Sequence, residues 1–195
     1  MAKKRGQKYD QIINAAVKVI AKNGYHHSQV SKIAKEAGVA DGTIYLYFKN
    51  KEDILISLFE EKMGVFVQKS QECLSEESSI EKKLLLLIEM HLKQLEADYD
   101  LAIVTQLELR QSNIVLRHRI NEILKGYLAL IDSILLEGVE AGYFYSDLDR
   151  RIARQVIFGA IDEVVTNWVM KDHRYNLVSL AAPLHKMLLK GLKTS

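Results

Sequence analysis

Four side chains suited to gripping a polyanion lie close together: Thr43, Tyr45, Tyr47 and Lys51. Ser28, Gln29 and Ser31 offer further short hydrogen-bonding groups upstream, and Asp41 and Gly42 lead into Thr43. The chemistry these residues can do is recognition by hydrogen bond and charge, not bond-making. Lys51 follows Asn50 at a helix start, where orphan backbone N–H groups attract phosphate. Asp41 is unusual in such company, because an acid beside a polyanion costs energy unless it finds a hydrogen-bond donor. A second cluster, Arg110, Arg117 and Arg119 with Lys125 further on, carries guanidinium forks that match phosphate by two parallel hydrogen bonds. The same arginines could form a solvated face or pair with Glu108 and Glu122.

Catalytic constellations are missing from the sequence. Cys73 is the one cysteine, so no disulfide within the chain and no all-cysteine metal site can form. His26 and His27 are adjacent and point to different faces, which makes a poor metal pair. Asp162 and Glu163, considered with His91, are the best acid–base group available, and adjacent acids on a helix also diverge. No Gly-rich phosphate loop, HExxH or GxSxG occurs. No catalytic residue and no metal ligand is assigned, and an enzyme is not expected.

The elements that position these residues are helices. One Pro and ten Gly in 195 residues are too few for the tight turns of a sandwich or barrel. An apolar fraction of 48 % is ample for a core. Helical spacing predicts a first helix over ~6–23, with Ile13, Ala16, Val17 and Ile20 on one face and Gly24 ending it. Ser28 is the expected N-cap of a short helix over ~29–36, and Gly38 closes that helix. Residues 39–48 are too short to be helical alone and must be held by packing. Short helix, glycine turn, short helix is the helix-turn-helix plan. Further helices are expected over ~52–71 (capped by Asn50, with Asp53 assisting), ~80–96 (through a Ser78–Glu81 capping box), ~101–111, ~114–141, ~150–171 and ~177–192. Pro183 should bend or interrupt the last one, or mark its first turn. The reading is all-α with nine helices and no strand. Ile44 and Phe48 are read as core, while Tyr45 could be a contact or half-buried.

Charge is unevenly spread. Residues 1–51 carry ten Lys/Arg against three Asp/Glu, a net of +7, and the remainder carries 17 against 22, a net of −5. A basic head on an acidic body points to a polyanionic partner for the head. Lys3, Lys4, Arg5 and Lys8 could form an arm into an adjacent groove or a solubilising tail. No apolar run suits a signal peptide or a membrane span, so a cytoplasmic, reducing-compartment protein is expected, without membrane association.

The stretch Ile33-Ala34, Ala37-Gly38-Val39, Gly42-Thr43-Ile44-Tyr45, Tyr47-Phe48, Asn50-Lys51-Glu52 and Leu55 resembles the DNA-binding signature of the TetR/AcrR family of transcriptional repressors. The resemblance implies a nine-helix TetR-like architecture. A three-helix helix-turn-helix head (1–50) would precede a helical effector-binding and dimerisation domain (51–195). It implies DNA contacts from the positions of Thr43, Tyr45, Tyr47 and Lys51, with Tyr45 and Lys51 on the backbone. Ser28, Gln29, Ser31, Asp41 and Gly42 are added as neighbours. It implies a homodimer on a palindromic operator, with half-sites ~34–36 Å apart or a multiple of that. Pairing would run through the helices ~150–171 and ~177–192, where Ala153, Gly159 and Ala160 allow close approach and Leu180, Leu184, Met187 and Leu188 supply cover. These residues could instead cover the body's own core.

A narrower resemblance lies in Ile103 through Asn113, Ile120 through Leu128, Phe158-Gly159, Ile161-Asp162-Glu163 and Trp168-Val169-Met170. These segments are similar to family members that repress fatty-acid degradation genes. That resemblance implies release of DNA by long-chain acyl-CoA, an effector rather than a cofactor. Leu101, Val104, Gln106, Leu107, Phe158, Ile161, Val165 and Trp168 are the candidate acyl-binding residues, and Arg110, Arg117 and Arg119 the candidate phosphate ligands. Ordinary core packing is the other reading of the apolar set. Each buried methylene contributes about 0.8 kcal/mol, so a chain of about ten supports tight binding. Effector binding is expected to move the helix ~52–71 and so reset the spacing of the two recognition elements. Other readings are a repressor of an efflux or stress gene released by a neutral hydrophobic compound, and a ligand-binding scaffold with a vestigial head.

Overall fold

Apolar residues at helical spacing recur through the whole chain, and the computed structural model, which describes residues 6–193, is helical accordingly. Nine α-helices are present among the described residues: α1 (Gln7–Asn23), α2 (Val30–Glu36), α3 (Asp41–Ile44), α4 (Lys51–Glu76), α5 (Ile80–Ala97), α6 (Tyr99–Glu108), α7 (Ile114–Glu140), α8 (Arg150–Met170) and α9 (Ala181–Lys190). A single 3₁₀ turn, Val178–Leu180, leads into α9. The sole extended pairing among these residues is one isolated bridge between Phe144 and Lys193. Lys3, Lys4 and Arg5, the core of the expected arm, lie outside the described residues.

The caps show why the helices start where they do. Asn50 Oδ1 accepts from Asp53 N at 2.8 Å, and Asp53 Oδ2 accepts in turn from Lys49 N at 3.0 Å, so α4 opens on a reciprocal cap. Asp149 Oδ1 accepts from Arg151 N and Ile152 N and starts α8. Two expected caps fall elsewhere. Ser79, not Ser78, caps α5 by accepting from Lys82 N, and Glu81 accepts from the Tyr143 hydroxyl instead of closing a box. Gln29, not Ser28, occupies the N-cap position of α2. Pro183 sits in the first turn of α9, where its missing N–H costs nothing. Helix α4 runs to Glu76, five residues past the expected end near 71.

The chain divides into two compact units. The first runs to Met63 and adds Asp100–Ile123; the second comprises Gly64–Tyr99 and the chain from Leu124 onward. A division by compactness thus gathers most of α6 and the opening of α7 with the head, whereas the sequence was divided at 50/51. In the first unit, α1 packs on α2 and α2 on α3. Tyr9 stacks on Phe48 with ring centroids 5.1 Å apart, and Ile12, Ile33, Ile44 and Leu55 are buried around them. Gly38 holds a φ of +66°, a turn between α2 and α3 that a side chain would strain. In the second unit, α5 packs on α8 and α9. Leu84, Ile88, Leu92, Ile131, Ile157, Ile161 and Leu184 are buried there. Glu96 Oε1 accepts from Leu177 N at 2.6 Å and fixes the entry to the 3₁₀ turn.

Candidate nucleic-acid interface and effector-binding residues

The three head helices leave one set of side chains in solvent. Gln29, Ser31, Asp41, Gly42 and Tyr45 are exposed, Tyr45 at 59 %. Thr43 is half-buried near the start of α3. Tyr47 is also half-buried, its ring 6.3 Å from both Tyr9 and Phe48, so its body packs with the head core. Ile44 and Phe48 are core, as their spacing predicted. Sequence reasoning passed over Leu46, which is 78 % exposed beside Tyr45. Its sequence signal was weak, because a leucine at helical spacing reads as core.

Ser28 is corrected as a side-chain contact. It is 1 % exposed, and its hydroxyl donates to Gly24 O at 2.8 Å and Val19 O at 3.2 Å. The hydroxyl thus turns back onto the end of α1, where Val19 O also accepts from Asn23 Nδ2, and ties the loop to that helix. Lys51 is half-buried, and its ammonium donates to Tyr25 O and His26 O, each at 3.0 Å, while lying 4.6 Å from the centre of the Tyr25 ring. Two of its three N–H groups are therefore committed to the α1–α2 loop. His26 and His27 are exposed, as two loop histidines should be.

Glu108, at the end of α6, is held in the same unit. Its Oε1 accepts from Tyr25 N at 2.8 Å, and its Oε2 accepts from Gln111 Nε2 at 2.6 Å. The sequence had raised Glu108 only as a partner for the arginines. Burial, and the negative charges of Glu52 and Glu108, push the Tyr25 phenol up to about 12, so it stays neutral.

The candidate effector residues fall in both units. In the first, Leu101, Val104 and Gln106 are buried. Leu107 is 49 % exposed. Arg110, Arg117 and Arg119 are exposed, and Arg119 Nη2 lies 4.0 Å from Asp53 Oδ1. In the second, Ile161, Val165 and Trp168 are buried and Phe158 is half-buried with its ring 5.9 Å from that of Tyr127. Trp168 Nε1 donates to Tyr175 O at 2.8 Å, and Tyr99 meets its ring edge-on at 5.5 Å.

The second unit also holds a buried polar pair that sequence reasoning did not foresee, His91 with Tyr127. His91 Nδ1 lies 3.0 Å from the Tyr127 hydroxyl, with Phe66 edge-on to the imidazole at 5.9 Å. His91 Nε2 is sealed from solvent and finds no hydrogen-bond partner among the described residues. Burial lowers the imidazole to about 4, so it is neutral at pH 7. Burial and the Asp162 carboxylate both hold the proton on Tyr127. Asp162 is buried and Glu163 exposed, the divergence that adjacency on a helix dictates.

Between α8 and α9 lies an open groove of about 400 Å³, lined by Ile152, Val156, Ile157, Met187, Leu188 and their neighbours. Met187 is 63 % exposed, and Ile152 and Val156 also stand in solvent. Among the described residues no group of three or more His, Cys, Asp or Glu could hold a metal ion, and no helix is long and apolar enough to cross a membrane.

A helix-turn-helix head in an otherwise helical chain is the architecture of a DNA-binding regulator. Residues 12–58 match the bacterial regulatory proteins of the tetR family, and residues 59–191 match the YsiA-like protein C-terminal region. The chain belongs to the TetR family of bacterial regulators. It is 60 % identical over 190 residues to the fatty acid metabolism regulator protein of Bacillus subtilis, covering 97 % of this chain and 98 % of that one. The fatty acid degradation regulator FadR of Bacillus halodurans superposes with a TM-score of 0.92 at 65 % identity, over 95 % of this chain and all of that one. FadR of Bacillus subtilis, solved in complex with stearoyl-CoA, also gives 0.92, at 62 % identity over 94 % of this chain and 98 % of that one.

Proposed function

We infer that the protein is a dimeric repressor of fatty-acid degradation genes, binding a palindromic operator and released from it by long-chain acyl-CoA. The observation that carries this is identity of 60 % along 97 % of the chain with a fatty acid metabolism regulator. A relative of 62 % identity is seen holding stearoyl-CoA, and the candidate residues here have the chemistry for such a ligand. Exposed Arg110, Arg117 and Arg119 suit the phosphates of the CoA moiety. Leu101, Val104, Phe158, Ile161, Val165 and Trp168 suit an acyl chain. On the DNA side the proposed contacts are Gln29, Ser31, Asp41, Gly42, Thr43, Tyr45 and Tyr47, with the remaining N–H of Lys51 directed to the phosphate backbone.

The exposed apolar α8–α9 groove suits pairing with a second copy, which would present two recognition elements to two half-sites. A DNA-binding regulator with no membrane-spanning helix among its described residues works in the cytoplasm under this reading. Release requires the effector to prefer the conformation that binds DNA poorly. A swing from 1:99 to 99:1 takes about 5.5 kcal/mol of differential affinity. The test is a gel shift on DNA upstream of fatty-acid degradation genes, titrated with stearoyl-CoA, free stearate and CoA alone. Release by the thioester alone is expected. A shift that stearoyl-CoA leaves intact would discard the effector and keep the DNA-binding head.

A further inference from the structure

The α1–α2 loop is pinned at one residue from two sides. Tyr25 N donates to Glu108 of α6 at 2.8 Å, and Tyr25 O accepts from Lys51, the first residue of α4, at 3.0 Å. The loop leads directly into Gln29 and Ser31, which open α2. Its backbone has little slack, because Gly24 holds a φ of +72° and Ser28 is buried with its hydroxyl on Gly24 O. Glu108 is itself held: its second oxygen accepts from Gln111 Nε2, and Gln111 also donates to Glu108 O at 3.1 Å. A carboxylate accepting a backbone N–H makes a charge-assisted bond, stronger and more directional than a neutral pair. Helix α6 carries Leu101, Val104 and Gln106, and Arg110 lies two residues past Glu108. One short helix thus bears candidate effector residues along its length and a clamp on the head at its end.

We propose that Glu108 is the coupling residue of the repressor: its carboxylate holds the α1–α2 loop in the DNA-reading pose, and effector binding on α6 acts on the head by displacing it. The proposal rests on the acyl-CoA reading for the signal and on the geometry of the first unit for the clamp. Displacing Glu108 frees Tyr25 N, while Tyr25 O keeps its bonds from Lys51 Nζ and Ser28 N. Gln29 and Ser31 then lose their fixed register on the phosphate backbone, where contacts position a protein on the duplex. Coupling is a ratio of affinities, so Glu108 is judged by that ratio and not by affinity alone.

The test uses the full-length protein and a labelled duplex selected from a random pool by the wild type. Operator affinity is measured with and without saturating stearoyl-CoA, alongside stearoyl-CoA affinity without DNA. Glu108→Ala should lower effector-free operator affinity at least tenfold and cut the coupling ratio at least tenfold, with stearoyl-CoA bound in the absence of DNA at least as tightly as by the wild type, because the effector no longer has to displace the clamp. Glu108→Gln keeps an oxygen acceptor for Tyr25 N and should recover part of both. A purely structural role would instead lower both affinities together and leave the ratio unchanged, which overturns the proposal. So does Glu108→Ala with operator affinity and ratio both within threefold of wild type. If the alanine variant does not fold, amide exchange at Tyr25 in the wild type decides: stearoyl-CoA should speed it at least tenfold, and an unchanged rate overturns the coupling. If the wild type ignores stearoyl-CoA altogether, the effector reading fails separately. The clamp then stands on a tenfold loss of operator affinity in Glu108→Gln or Glu108→Ala, and falls if neither loses threefold.

Discussion

At the scale of single residues, burial decides which side chains can act. His91 is the clearest case, since its imidazole sits among Phe66 and Tyr127 and is held neutral down to about pH 4. In the unfolded chain it takes a proton near 6.5. Between those two values the unfolded state carries a proton that the folded state refuses, so stability falls as pH drops from 6.5 toward 4. The full loss is reached below about 4 and amounts to at most about 3 kcal/mol. Replacing His91 with Phe removes the titration, so the urea midpoint should fall less between pH 7 and pH 4.5 in His91→Phe than in the wild type. Equal falls would show that the acid sensitivity lies elsewhere. Sequence reasoning raised His91 only beside Asp162 and Glu163, because a lone histidine within an apolar helix carries no spacing signal that points to Tyr127. Ser28 misled for the opposite reason: a serine between helices signals an N-cap, and its hydroxyl turned back to the carbonyls of Val19 and Gly24.

Helices were legible where a long apolar stripe fixed their phase. In α1 the stripe Ile13, Ala16, Val17 and Ile20 is buried as predicted, and Gly24 follows with a positive φ. Helix α6 has ten residues and no dominant face, so the outward turn of Leu107 could not be read. Ser78 and Ser79 both offered a cap, and adjacent candidates are beyond the resolution of a pattern. At the close of α7, Gly138 packs against the chain that follows. A Cβ there would lie 2.1 Å from the Phe144 ring, and Phe144 is buried with its N–H donating to Gly138 O. Gly138→Ala should therefore destabilise the protein by about 1–3 kcal/mol, as overpacked cores do, and lower its Tm in a circular dichroism melt. An unchanged Tm would mean the ring has room to move. Asp149→Ala, which strips two backbone N–H groups of their acceptor at the start of α8, should cost about 1 kcal/mol in the same assay.

For the whole molecule, the decisive quantities are the state of association and the response to salt. Met187 and Val156 project from the α8–α9 groove, so Met187→Glu places a charge on the proposed pairing surface. Sedimentation should then show a monomer with unchanged helicity, and operator affinity should fall by more than tenfold because two half-sites are no longer engaged together. A dimeric Met187→Glu protein would move the interface elsewhere. The concentration of ten Lys/Arg in the first 51 residues makes operator binding salt-dependent, with log K falling by about 0.9 for each phosphate contact as log salt rises. A flat response would remove the head from the interface. The class of fold and the DNA-binding head were readable from composition, periodicity and a local motif. The candidate effector set was readable only as residue types, because its members come from segments far apart in the chain.

The membership of α6 in the head's compact unit bears on how such proteins can be recombined. The compact unit that holds the head also takes in Asp100–Ile123, so a cut near residue 50 is expected to part the head from segments packed in the same unit. A chimaera built by exchanging only the first 50–60 residues would set a foreign α1–α2 loop against the native α6 and its Glu108. It would also bring new partners to Leu101, Ala102 and Val104, which are buried in the native unit. Exchanges that carry Asp100–Ile123 along with the head should keep responsiveness, and those that leave it behind should yield regulators that bind DNA but no longer listen.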